Sequence, residues 1–149
     1  MQHISRDHQN ALKHCREKCE ECIGACQKVV ASCHEQPRQC IGKDSCDFSD
    51  ESKCAKDCGE SVRAATICIE ACQKCLSVCI DHIEICGEPE CTKILNKTIK
   101  MAEQCIEKCE KLIAICRNGS LDCANVSLEC IKACEQCAEA CEQALSSVR

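Results

Sequence analysis

Along most of the chain the inward-type positions recur at steps of three, four and seven residues, and charged residues fill the intervals. That spacing gathers side chains onto one face of an α-helix. The intervening runs, such as Arg16-Glu17-Lys18, Glu20-Glu21, Glu107-Lys108, Glu110-Lys111 and Glu135-Gln136, read as the solvated faces of the same helices. The pattern predicts helix A over about residues 4–35, ending before Pro37, and helix B over about 60–86, stopping at Gly87. Helix C runs over about 89–117, with Pro89 in its first turn and Asn118-Gly119 as its stop. Helix D runs over about 120–147, with Ser120 as its N-cap. The short B–C and C–D connections favour antiparallel neighbours. The expected fold is therefore all-α: one antiparallel four-helix bundle spanning 1–149, with an insertion at about 36–59 between helices A and B.

The stripe that should form the core is made of cysteine. Cys15, Cys19, Cys22 and Cys26 follow a 4-3-4 spacing, with Cys33 seven residues on. The figure recurs as Cys68, Cys72, Cys75, Cys79 and Cys86, and again as Cys130, Cys134, Cys137 and Cys141, with Cys123 seven residues upstream. A thinner copy is Cys105, Cys109 and Cys116, with Leu112 at the intermediate position; Cys91, fourteen residues before Cys105, extends it. The stripes of helices A and B match cysteine for cysteine at an offset of 53, and those of B and D at an offset of 62. The insertion carries Cys40, Cys46, Cys54 and Cys58, the last two spaced to sit on a short helix or an early extension of helix B.

This changes what the core is. Of 149 residues 23 are cysteine, while Trp and Tyr are absent and Phe48 is the only aromatic. Replacing a large core side chain by a much smaller one typically costs ~2–5 kcal/mol per site. A core of thiols alone would be badly underfilled, so the sulfurs are expected to be joined, to one another or to metal. The net charge of −5, with Lys and Arg scattered, argues against a nucleic-acid surface. No run approaches the ~20 apolar residues that span a bilayer. The polar start MQHISRDHQN lacks the apolar stretch of a secretory signal, and the expected compartment is the reducing cytosol.

Two thiolates four residues apart on a helix project side by side and can share one ion. Soft sulfur ligands select Cu(I), and one Cu⁺ per thiolate leaves a nearly neutral interior, whereas Zn²⁺ in a four-cysteine site leaves two negative charges. Multiple Cu(I) ions are thus the expected cargo, held by the stripe cysteines. Structural zinc and iron–sulfur clusters generally use cysteines in knuckles or loops, whereas the CxxC pairs here (Cys19/Cys22, Cys72/Cys75, Cys134/Cys137) lie within helices. A zinc or general metal buffer and a disulfide-stapled helical protein stay open as alternatives. A thioredoxin-like CxxC would need a βαβ setting, and no catalytic constellation stands out, so enzymatic activity is not expected.

The stretches CIEACQKCLSVCIDHIEIC, QCIEKCEKLIAICRNGS and CIKACEQCAEAC resemble the bacterial copper storage proteins, a family of cysteine-rich four-helix bundles. The resemblance covers most of the chain. It implies a thiolate-lined core storing many Cu(I) ions, a homotetrameric assembly, exchange with a copper chaperone or exporter, and a cytosolic branch without a signal peptide. The cysteine-bearing insertion is not part of that family's pattern. The resemblance also implies His or Met ligands near one bundle end. His8, seven residues before Cys15, and Met101, four before Cys105, are the candidates. His14, His34 and His82 are not assigned, and the insertion cysteines Cys40, Cys46, Cys54 and Cys58 are secondary metal-ligand candidates.

Overall fold

The computed structural model describes residues 5–35, 53–117 and 122–147, the side chains of 33–35 and 53–55 aside. Within them lie four helices: α1 (Arg6–Glu35), α2 (Lys53–Ile85), α3 (Pro89–Arg117) and α4 (Cys123–Ser147). Each packs on its two neighbours in chain order, and α4 closes on α1, which gives an all-α four-helix bundle. Cys19 lies against Cys68 while Cys15 lies against Cys72, so α1 and α2 run antiparallel. Likewise Cys105 meets Cys134 and Cys109 meets Cys130 across α3 and α4. At 1.5 Å rise per residue the 29 residues of α3 span about 43 Å.

The inward positions hold a strict alternation of three and four along every helix. In α3 the buried register is Cys91, Leu95, Thr98, Ala102, Cys105, Cys109, Leu112 and Cys116. In α1 it is His8, Leu12, Cys15, Cys19, Cys22, Cys26 and Val29. A mean step of 3.5 residues is the coiled-coil period, and it keeps one seam of each helix on the bundle axis over the full length. Flanking that seam, Ala11, Ala25, Ala71, Ala133 and Ala140 are buried where neighbouring helices approach. Their small side chains allow the close spacing that a core of short sulfur side chains requires.

Helix ends follow local chemistry, with two departures from expectation. Ser5 caps α1, its Oγ accepting from the His8 amide at 3.1 Å. The α2–α3 turn is Cys86-Gly87-Glu88, and the Thr92 amide donates to the Glu88 carbonyl at 3.1 Å, with Pro89 as the first helical residue. Helix α2, expected from about residue 60, begins at Lys53. Gly59 is a helical position within it, where an added Cβ would meet only Arg63 Nη1, at 3.8 Å. Helix α4, expected from Ser120, begins at Cys123. Asp122 is the capping residue, its carbonyl accepting from the Val126 amide at 3.1 Å and its carboxylate from Asn125 Nδ2 at 2.8 Å.

Outside the core, ion pairs tie neighbouring helices: Arg16 with Glu142 (α1–α4), Lys28 with Glu60 at 3.1 Å (α1–α2), and both Lys108 and Lys111 with Glu129 at 3.4 Å (α3–α4). Exposed pairs of this kind are screened by solvent and report orientation more than stability. Among the described residues, no helix is long and apolar enough to cross a membrane.

Candidate metal centre

Each seam delivers its sulfurs to the axis at matching heights, and the result is a column of thiols. The Sγ atoms of Cys15, Cys19, Cys72 and Cys137 all lie within 4.8 Å of one another. The same holds for Cys19, Cys68, Cys72 and Cys105, and for Cys22, Cys68, Cys109 and Cys134. Three-sulfur groups extend the column at both ends, as Cys15, Cys75 and Cys141 toward one and Cys22, Cys26 and Cys130 toward the other. Every cysteine in these groups is buried, and neighbouring groups share members: Cys19 and Cys72 belong to two, as do Cys22 and Cys68. The column is one continuous array.

Sulfur–sulfur contacts of 3.6 Å for Cys15–Cys72, Cys105–Cys134 and Cys109–Cys130 are thiol hydrogen-bond distances, far from the ~2.05 Å of a disulfide. Apart from Cys33, Cys40, Cys46 and Cys54, which lie outside the described side chains, none of the remaining 19 of the 23 cysteines is bridged.

Hydrogen bonding divides these thiols into two kinds. Cys19 is held far above the ordinary thiol range, first through its contact with Cys105, and Cys109 likewise through Cys105 and Cys130. Cys68 is held far below it, first by Cys105, and so is Cys130, first by Cys109. Cys15 is pushed up to about 11, chiefly through Cys137. The interior thus holds proton donors beside sulfurs ready to accept them. A cation entering the column replaces the shared protons, so binding releases H⁺. Groups of three or four sulfurs with shared members suit soft cations bridged by thiolates.

At one end the column meets imidazole. His8 Nε2 lies 3.3 Å from Cys79 Sγ, and the His8 ring packs against His82 with centroids 5.3 Å apart. Both histidines are buried, and His8 Nδ1 and His82 Nε2 have no hydrogen-bond partner. Burial first, then the neighbouring His82, lowers the His8 pKa to about 4, against a smaller opposing pull from Cys75. His8 is therefore neutral at physiological pH, with a lone pair available to a metal. Nearby, Cys86 is half-buried and its thiol faces the Glu88 carbonyl at 3.8 Å. Cys91 is pushed up to about 12, mainly by burial and then by its hydrogen bond with Cys86.

At the other end Cys58, Cys116 and Cys123 are buried together. Cys116 and then Cys58 donate to Cys123, and these bonds bring its pKa down to about 4. Its place as the first residue of α4 favours the same thiolate.

The sequence-derived candidates fare as follows. Cys15, Cys19, Cys22, Cys26, Cys68, Cys72, Cys75, Cys105, Cys109, Cys130, Cys134, Cys137 and Cys141 meet in the column, with Cys79 at its histidine end. Cys86 and Cys91 pair beyond that end, while Cys116 and Cys123 stand at the opposite one. Cys58 is in the core, because α2 starts early enough to carry it one heptad before Ala65. Met101 is not on the seam: the inward residue is Ala102, and Met101 packs partly buried against the outside of the core. The alternation of three and four places residue 102, not 101, before Cys105. Cys40 and Cys46, and the side chains of Cys33 and Cys54, lie outside the described residues. His82 was the residue missed. It stands three positions after Cys79 and four before Cys86, on the same alternation that identified the cysteines.

Fold and site together define a helical bundle with a buried, multi-thiol centre able to hold metal ions. Compared with known proteins, the chain matches no protein family, no curated protein and no solved structure.

Proposed function

We propose that the protein stores or sequesters Cu(I), binding many ions along the bundle axis through the column cysteines. The observation that carries this reading is the sharing of sulfurs between successive groups, Cys19 and Cys72 in one pair and Cys22 and Cys68 across others. A shared thiolate is a bridging ligand, and a monovalent d¹⁰ ion that accepts two or three sulfurs uses bridging ligands without accumulating charge. Zn²⁺ is favoured by one feature, the four-sulfur groups, each of which would suit a tetrahedral ion. Adjacent groups cannot each be filled by a separate Zn(Cys)₄ unit, since they would compete for Cys19 and Cys72. Every isolated unit of that kind would also bury a charge of −2. His8 and His82 complete the column at one end, where imidazole nitrogens offer intermediate-softness ligands to an arriving or departing ion. The resemblance to copper storage proteins supports the same reading, and extends it to a homotetramer in the cytosol that exchanges with a copper chaperone or exporter.

The test is the metal recovered from the protein. Isolated anaerobically from cells replete in copper and zinc, it should carry several equivalents of copper and little zinc. Recovery with zinc in excess would transfer the reading to a zinc buffer. Recovery without metal, and with thiol counting that shows most cysteines oxidised, would transfer it to a disulfide-stapled structural protein.

A further inference from the structure

The column does not extend through the whole bundle. Between the layer of Cys22, Cys109 and Cys130 and the far end lies a level at which three of the four helices contribute no sulfur. Leu112, Ser61 and Ser127 hold its seam positions, with Val62 and Val126 beside them, all buried, and Ser61 turns its hydroxyl to the Cys58 carbonyl at 2.9 Å. Cys26 is the fourth member of that level, and its hydrogen bonds run back into the column, to Cys130 and Cys22. One turn further out are Val29, Cys58, Cys116 and Cys123, all but fully buried. Here the thiols of Cys116 and Cys58 converge on Cys123. Cys130 and Cys123 are seven residues apart on α4, about 10 Å along the axis at 1.5 Å per residue. Cys26 is the one described sulfur within that interval, and its bonds face the column.

We propose that Cys58, Cys116 and Cys123 form a second soft-metal site, mononuclear and independent of the column, at the bundle end where α3 passes into α4. Cys58 and Cys116, from two helices, both bond to Cys123 of a third, which gathers the three ligands that a trigonal ion requires. Among the described side chains, the fourth helix supplies Val29, which offers no ligand and shields the site. The level of Leu112, Ser61 and Ser127 gives it no thiolate to share with the ions of the column. The site takes one ion and, having no sulfur in common with the column groups, fills with its own affinity. Taking Cu(I) as that ion rests on the storage reading above; the separation of the site rests only on the geometry.

Full-length reduced protein, labelled with ¹³C in cysteine, can be titrated with Cu(I) from a competing chelator and followed by the cysteine Cβ resonances. Cys58, Cys116 and Cys123 should shift together in a single step with a midpoint distinct from that of Cys19, Cys72 and Cys137. In Cys68→Ser the column midpoint should move while the midpoint of the three stays fixed. In Cys123→Ser the step should vanish and saturation should fall by about one ion, with the column response intact as proof of folding. Movement of all resonances along one common curve, or a shifted three-cysteine midpoint in Cys68→Ser, would overturn the proposal. So would silence of the three while the column fills, a result that leaves copper storage standing. Silence of every cysteine resonance would overturn both.

Discussion

At the scale of single residues, the cysteines serve as packing side chains and, on the proposed reading, as ligands at once. Cys19 and Cys68 occupy positions where a bundle ordinarily places Leu or Ile, and both are fully buried. Their hydrogen bonds satisfy the sulfurs in the metal-free state, yet such bonds are weak and leave the interior with fewer contacts than a hydrocarbon core. His8 is the residue whose burial has the clearest pH consequence. Its folded pKa of about 4 lies below the ordinary 6.5, so the folded protein refuses a proton that the unfolded chain accepts. The stabilisation is fully present above pH 6.5 and is lost as the pH falls through about 4. Denaturant melts of reduced, metal-free protein should therefore show stability declining over that window, and His8→Gln should flatten the decline. An unchanged slope in His8→Gln would mean that the imidazole is already charged or already solvated in the fold.

At the scale of elements, the helices were legible because their seams are strictly periodic. The stripes of α1, α2 and α4 name the inward face without help from apolar residues, since each carries four cysteines in unbroken 4-3-4 steps. Three details were not legible. The start of α2 was obscured by Gly59, a residue that usually ends helices but here continues one, against the Arg63 side chain. Met101 was misread because a step of four from Cys105 is as good a helical neighbour as a step of three; only the running alternation decides for Ala102. The division of the cysteines into a column and a separate trio left a trace in the sequence. Cys116 and Cys123 stand a full heptad from the next cysteine, with Leu112 and Val126 or Ser127 in the intervals. Periodicity places a residue on a face but says nothing of which sulfurs touch across helices, and that depends on register.

Gly24 gives the element scale its test. It lies inside α1, where an added Cβ would meet nothing within 4 Å. Gly24→Ala should stabilise the metal-free protein by ~0.4–1 kcal/mol, through the lower backbone entropy of the unfolded chain. Chemical denaturation would show this as a higher midpoint at unchanged slope. Destabilisation would instead imply that the site is covered, as by a second copy of the chain in an assembly.

At the scale of the whole molecule, the proposed function makes the bundle a container whose contents belong to its core. Metal bound to the native arrangement of thiols, and more weakly to the unfolded chain, stabilises the fold by mass action; free metal at ~100 times the dissociation constant contributes about 2.7 kcal/mol per site. With many sites the sum should raise the melting temperature of the copper-loaded protein far above that of the reduced metal-free form, by tens of degrees in thermal melts followed by circular dichroism. Coincident melts would show that the ions sit on the surface or bind the unfolded chain equally well. The loading itself should acidify an unbuffered solution, because Cys15, Cys19 and Cys109 are held protonated in the metal-free core and must give up their protons to bind.

The central claim is that the sulfur column is a store rather than a single site. The most direct measurement is titration of anaerobic, fully reduced protein with Cu(I) against a competing chelator, read as ions bound per chain at saturation. With the described thiols at about one to two per ion, saturation is predicted at on the order of ten ions or more. Saturation at one or a few ions, with the chelator keeping the rest, would contradict it.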